Sequence, residues 1–173
     1  IVTITRAAGT AALGGEIESC TIANVVNPPI TGSTGLYTVE TTSSGDVQVD
    51  VDAAVAADTI TAGVITSANV APRFNVASTS GTTTVTFTTA NPLPNDGFIY
   101  IEYPAGFDIA GVADAECSNL DDTLLTVSDN GGQEVLIERD GLGTAEPAGA
   151  FTCTYNGVEN PGTTGAAGAY AIV

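Results

Sequence analysis

The amino-acid sequence predicts an all-β fold, and three observations predict it. The first is composition: Val, Ile and Thr favour a pleated strand over a helix interior, and they are abundant in a chain that is 43% hydrophobic yet lacks Met and Trp. The second is patterning. Apolar and polar residues alternate with period two over several stretches, with Gly, Pro and Asn between them, and no stretch carries a helical period. The third is an internal repeat, set out below.

The alternation places the strands in order. VQVDVDAAV (47–55) sets Val47, Val49 and Val51 on one face and Asp50 and Asp52 on the other. TTTVTFTTANPLP (82–94) sets Val85 and Phe87 against a row of Thr and ends at Asn91-Pro92. DGFIYIEYPAGFDI (96–109) sets Phe98 and Tyr100 against Ile99 and Ile101 and stops at Pro104-Ala105-Gly106. TLLTVSDNGGQEVLIER (123–139) reads as a hairpin turning at Asn130-Gly131, a dipeptide that accepts the positive φ of a type I′ turn. AFTCTYNGVENP (150–161) and GAYAIV (168–173) supply two further strands. Short strands of near-regular spacing with turn residues between them predict an immunoglobulin-like β-sandwich.

The start and the end of the chain match in register. At a constant offset of 133, Val2 meets Val135, Ile4 meets Ile137 and Arg6 meets Arg139. Cys20 meets Cys153, Asn27-Pro28 meets Asn160-Pro161, Gly32 and Gly35 meet Gly165 and Gly168, and Tyr37 meets Tyr170. Self-similarity at a fixed period marks a repeat architecture. On this reading residues 1–45 are the back half of a preceding sandwich repeat. Residues 46–70 are a connector carrying a strand, and residues 71–173 are a nearly complete repeat with a front and a back half.

The cysteines follow the same division. Three is an odd count, which in a secreted chain asks for a partner elsewhere. Cys117 in the front half and Cys153 in the back half of one repeat are expected to form a disulfide, with a loop that stabilises by about 4 kcal/mol on the chain-entropy model. Cys20, the equivalent of Cys153, is expected to remain unpaired or to bond between repeats. The absence of His and of any CxxC spacing argues against a zinc site.

Charge excludes several function classes. The net charge is −17, with 20 acidic residues against three Arg and no Lys. Such a surface repels phosphate backbones and anionic headgroups, so no nucleic-acid partner is expected. No stretch reaches the roughly 20 apolar residues that span a bilayer, so no membrane insertion is expected. The chain starts at Ile1 and shows no secretory leader, which reads as a processed product or a part of something longer.

No catalytic residue is expected, and the chain reads as a non-enzyme. Without His, a Ser-His-Asp or Cys-His arrangement cannot be built. The carboxylate pairs Glu138/Asp140 and Asp121/Asp122 are nominal glycosidase candidates and read as solvated strand or loop positions. No cofactor is expected beyond Ca²⁺, for which Asp50, Asp52 and Asp58 are weak candidate ligands, as are Asp114, Glu116, Asp121 and Asp122. Neither set has the spacing of an EF-hand loop. No Asn lies in an Asn-x-Ser/Thr sequon, so N-glycans are not expected. O-glycans are, on outward hydroxyls such as Thr41, Thr42, Ser43, Ser44, Thr82, Thr84, Thr86 and Thr88.

The string TFTTANPLPNDGFIYIEYPAGFD, then a Cys, VLIER, and CTYNGVENP with Gly-rich spacing to Tyr170, resembles the tandem β-sandwich repeats of large secreted proteins of algae and other aquatic protists. NPPITGSTGLYTVETTSSGD and AVAADTITAGVITSANVAP resemble the end of one unit and its link to the next. The whole chain also resembles the protomers of glycosylated extracellular fibrils. The resemblance implies an extracellular or cell-surface filament or sheath subunit, carrying covalent glycans and partnered by copies of itself. In an algal host Pro28, Pro29 and Pro161 would be further glycosylation positions. The alternative expectation is a cell-surface adhesin or glycan-binding module. Identical chains that exchanged back halves would always leave one unmatched, so head-to-tail contact through strand addition or a continuous polyprotein is expected instead.

Overall fold

The computed structural model describes residues 1–6, 14, 19–28, 31–120 and 125–173. Among these the chain is all-β: strands and turns, with no helix. The short strands β1 (Gly32–Ser33) and β4 (Thr59–Ile60) pair with each other, as do β2 (Tyr37–Thr42) and β3 (Gln48–Val55). The rest is two four-stranded antiparallel sheets. One has the order β5 (Thr66–Pro72), β6 (Ser80–Thr88), β11 (Ala150–Glu159), β8 (Ala113–Ser118). The other has the order β12 (Ala171–Ile172), β7 (Phe98–Glu102), β10 (Glu134–Arg139), β9 (Leu125–Gly131). Strand β5 straddles the boundary between the segment read as a connector, 46–70, and the repeat read over 71–173, so the paired sheet begins at Thr66.

The two sheets form a sandwich-like core because period-two alternation gives each strand one apolar face. Val85 and Phe87 of β6 and Phe151, Cys153 and Tyr155 of β11 are buried from one sheet. Ile99 and Ile101 of β7 and Val135 and Ile137 of β10 are buried from the other, and all belong to one contiguous cluster. Phe87 and Phe151 stack with centroids 5.6 Å apart, directly opposite across β6 and β11. The expected Thr face of β6 is present, with Thr82, Thr84, Thr86 and Thr88 on the outer surface and half-buried. On β7 the isoleucine face points inward, leaving Phe98 46% exposed.

The hairpin expected over 123–139 forms where it is described, but its turn sits two residues further on. Gly132 and Gln133 make the turn, with φ of +65° and +70°, and Gly131 pairs with Glu134. A two-residue type I′ turn needs positive φ at both central positions. Asn130 instead stays in β9 and donates through Nδ2 to Glu134 Oε1 at 2.6 Å, while Gly131 N donates to Asp129 Oδ1 at 2.8 Å. In the β2–β3 ribbon Val39, Glu40 and Thr41 stand opposite Asp52, Val51 and Asp50, and register shifts lie on either side of this stretch.

Ile137 has no exposed surface and lies between β7 and β9. Ile137→Ala is expected to lower unfolding stability by about 2–5 kcal/mol, the cost of a large-to-small change in a packed core. Denaturant titration followed by tyrosine fluorescence checks it.

Candidate functional site

The best-built region among the described residues is the seam where the back half of the sandwich, β10 to β12, closes on the front half, β5 to β9. Three kinds of contact hold it. The first is covalent. Cys117 and Cys153, opposite each other on β8 and β11, form a disulfide across 36 residues of sequence. The bridge joins neighbouring strands of one sheet.

The second is a set of side-chain donors reaching backbone carbonyls. Arg139 ends β10 and is buried. Its Nη1 donates to Leu93 O at 2.9 Å and Pro94 O at 2.7 Å, and its Nη2 to Thr144 O at 2.9 Å. The planar guanidinium offers five donors in a fixed fork, which suits several carbonyls converging from two loops. Those loops are themselves paired, Leu93 N to Glu146 O and Glu146 N to Leu93 O, each at 2.9 Å. At the far end of β11, Asn160 Nδ2 donates to Phe74 O at 2.7 Å and Val76 O at 2.9 Å, tying down the link between β5 and β6.

The third is a buried tyrosine pair inside an aromatic cluster. The hydroxyls of Tyr103 and Tyr155 share a hydrogen bond of 2.7 Å. Burial raises both above the usual phenol value, most strongly for Tyr155, where Tyr103 adds to the effect. For Tyr103 hydrogen bonds from Tyr155 and Thr83 partly offset the burial. Phe107 and Tyr170 pack on Tyr103 with centroids at 5.3 and 5.4 Å.

Sequence reasoning found the disulfide but not Arg139, Asn160 or the tyrosine pair as seam residues. The repeat held the clue to two of them. Arg6 and Asn27 stand at the positions of Arg139 and Asn160, and Cys20 at that of Cys153. Backbone conformation matches as well: φ is +126° and +154° at Gly32 and Gly165, and +75° and +86° at Gly35 and Gly168. The described residues 1–6 and 19–28 nonetheless lie in no strand. Val2, Ile4 and Val25 are 64%, 60% and 68% exposed, whereas their equivalents Val135, Ile137 and Val158 are core. Cys20 is an exposed free thiol.

The other candidates divide. Thr41, Thr42, Ser43, Ser44 and Pro28 are exposed, and Pro161 is half-buried. Thr41 Oγ1 already donates to Asp50 Oδ2 at 3.2 Å, and Thr82 Oγ1 to Asn156 Oδ1 at 2.7 Å. Pro29, Asp121 and Asp122 lie outside the described residues. Asp50, Asp52 and Asp58 are not brought together: among the described residues no three carboxylates, thiols or imidazoles cluster to hold a metal ion. Two of them instead cap nearby backbone, Asp52 Oδ1 accepting from Ala54 N and Asp58 Oδ1 from Thr59 N, both at 2.9 Å. Among the described residues no helix is long and apolar enough to cross a membrane. Searches against protein-family models, curated proteins and solved structures each find no match to the chain.

Two outcomes are expected at the seam. An unfolded tyrosine ionises near pH 10, while Tyr103 and Tyr155 hold their protons past it in the fold. The native state then binds more protons, so the stability that the pair contributes is complete below about pH 10 and declines as pH rises above it. Tyr155→Phe is expected to flatten that alkaline decline in urea titrations run from about pH 7 to about pH 11. Arg139→Ala is expected to cost at least about 3 kcal/mol, because it removes three hydrogen bonds from a buried charged donor, each worth about 1.5–3 kcal/mol. Arg139→Lys should recover only part, and chemical denaturation of the two variants measures the difference.

Proposed function

We propose that the chain is a structural subunit of an extracellular glycoprotein filament or sheath, built from immunoglobulin-like sandwich repeats and joined head-to-tail through β-strand contacts or as a tandem polyprotein. One observation carries this reading. Residues 1–28 repeat the sequence that closes the sandwich, down to the Arg, Cys and Asn of the seam, yet Val2, Ile4, Val25 and Val26 stand in solvent. Apolar side chains left in solvent favour burial against something else, and a contact between unlike surfaces propagates into a chain of subunits.

Other features fit the same role. The disulfide is compatible with an oxidising exterior. The Thr rows at 82–88 and the exposed Thr41 to Ser44 segment offer hydroxyls for O-glycans. The immunoglobulin-like assignment rests on two four-stranded antiparallel sheets over about 100 residues. It differs from antibody domains in bridging two strands of one sheet. On this reading the chain has no catalytic residues. A second reading, an adhesin or glycan-binding module, draws support from Phe98 and Tyr100, which lie 6.1 Å apart on the outer face of β7 as a ready stacking surface for sugar rings.

Electron microscopy of the native material is expected to show filaments or sheets with a repeating subunit. Intact mass should exceed that of the polypeptide by the mass of its glycans. Isolated single molecules at the bare polypeptide mass would overturn the reading. Saturable binding on a glycan array, abolished by Phe98→Ala, would favour the second.

A further inference from the structure

Only two asparagines in the chain precede glycine, Asn130 and Asn156. In an Asn-Gly pair the glycine amide nitrogen can attack the asparagine carboxamide. No Cβ crowds the ring that forms, and glycine reaches backbone angles closed to other residues. The remaining asparagines precede Val, Leu, Asp or Pro, and proline has no N–H to give up. The fold treats the two Asn-Gly pairs differently.

Asn130 is the extra residue of a bulge at the end of β9. Gly131 pairs with Glu134 and Asp129 with Val135, so no residue of β10 stands opposite Asn130. Asn130 and Gly131 are both exposed, and a Cβ added to Gly131 would meet nothing within 4 Å. The peptide between them therefore has room to turn. Gly131 N already donates to Asp129 Oδ1 at 2.8 Å, and Asn130 Nδ2 to Glu134 Oε1 at 2.6 Å. Asn156 also sits at an irregular point, on β11, but it is held. It pairs with Ala113, and its Oδ1 accepts from Thr82 Oγ1 at 2.7 Å. Gly157 lies against the backbone of Gly111, where an added Cβ would overlap the carbonyl group. Turning the Asn156–Gly157 peptide for attack would drive backbone into backbone.

We propose that Asn130 is a self-modification site, which converts to aspartate and isoaspartate and so loosens the β9–β10 hairpin. Gly131 N passes its proton to Asp129 Oδ1, which already accepts it, and bonds to Asn130 Cγ. The Cγ–Nδ2 bond breaks, and the amide leaves as ammonia, carrying that proton. Water then opens the cyclic imide at either carbonyl, giving aspartate or isoaspartate, and nothing is oxidised or reduced. The product places a carboxylate where a donor to Glu134 stood, beside Asp129. Like charges facing one another across paired strands repel. Isoaspartate also routes the main chain through the former side chain, adding a carbon next to the turn at Gly132-Gln133 that sets the hairpin register.

The test ages the full chain, disulfide intact, at mildly alkaline pH and follows each asparagine by peptide mapping and mass spectrometry. Asn130 is expected to convert at least about tenfold faster than Asn156, whose attack must first break a hydrogen bond and displace packed backbone. In strong denaturant under reducing conditions the two should convert at similar rates, because the fold makes the difference. Amide hydrogen exchange over 126–137 should quicken in the converted protein and in Asn130→Asp, while exchange over 150–159 holds. Equal rates in the folded chain, no conversion at Asn130, or the same contrast in denaturant would overturn the assignment of the site. Unchanged exchange over 126–137 after conversion would overturn the loosening of the hairpin.

Discussion

The fold depends on one constraint: half a sandwich has an apolar face it cannot bury alone. Strands β6 and β7 present Val85, Phe87, Ile99 and Ile101 inward, and only β10 and β11 supply the Val135, Ile137, Phe151 and Tyr155 that cover them. Each buried side chain of this size contributes about 1.5–3 kcal/mol relative to exposure. The polar seam contacts then choose one register among the many an apolar interface would accept. A one-residue slip would turn every core side chain to solvent and would draw Arg139 away from the carbonyls of Leu93, Pro94 and Thr144.

The same constraint explains how unevenly the pairing is spread along the chain. Between Thr66 and Val173 both halves are present, and the strands pair over long registers such as β6 with β11. Before Ile60 the described pairing is short and local, β1 with β4 and β2 with β3. Two-stranded ribbons are marginal in water, and the exposed Val47, Val49 and Val51 show how little of the apolar surface of this region is covered.

Strand positions in the sandwich are legible in the sequence because alternation there is strict and its ends are marked by Asn-Pro, Pro-Ala-Gly and Gly-rich breaks. The disulfide is legible because the repeat assigns one cysteine to each half. β8 escapes notice, since ADAECS carries only small or polar residues around a cysteine and shows no apolar face. The turn at Gly132-Gln133 is missed because Asn-Gly next to it is the stronger local pattern, and cross-strand register settles the choice. The carboxylates at 50, 52 and 58 look like ligands in sequence, where nothing reveals that each hydrogen-bonds to its own neighbourhood first.

The disulfide has a mechanical consequence. It links β8 to β11 and so encloses β9, β10 and the arginine-anchored loop that follows them. Tension applied along the backbone passes through the sulfur bridge and bypasses the enclosed stretch. Those 36 residues would otherwise release roughly 120 Å of slack when pulled straight. While the bridge is intact, a stretched domain lengthens only by what lies outside the loop, so its extension is bounded.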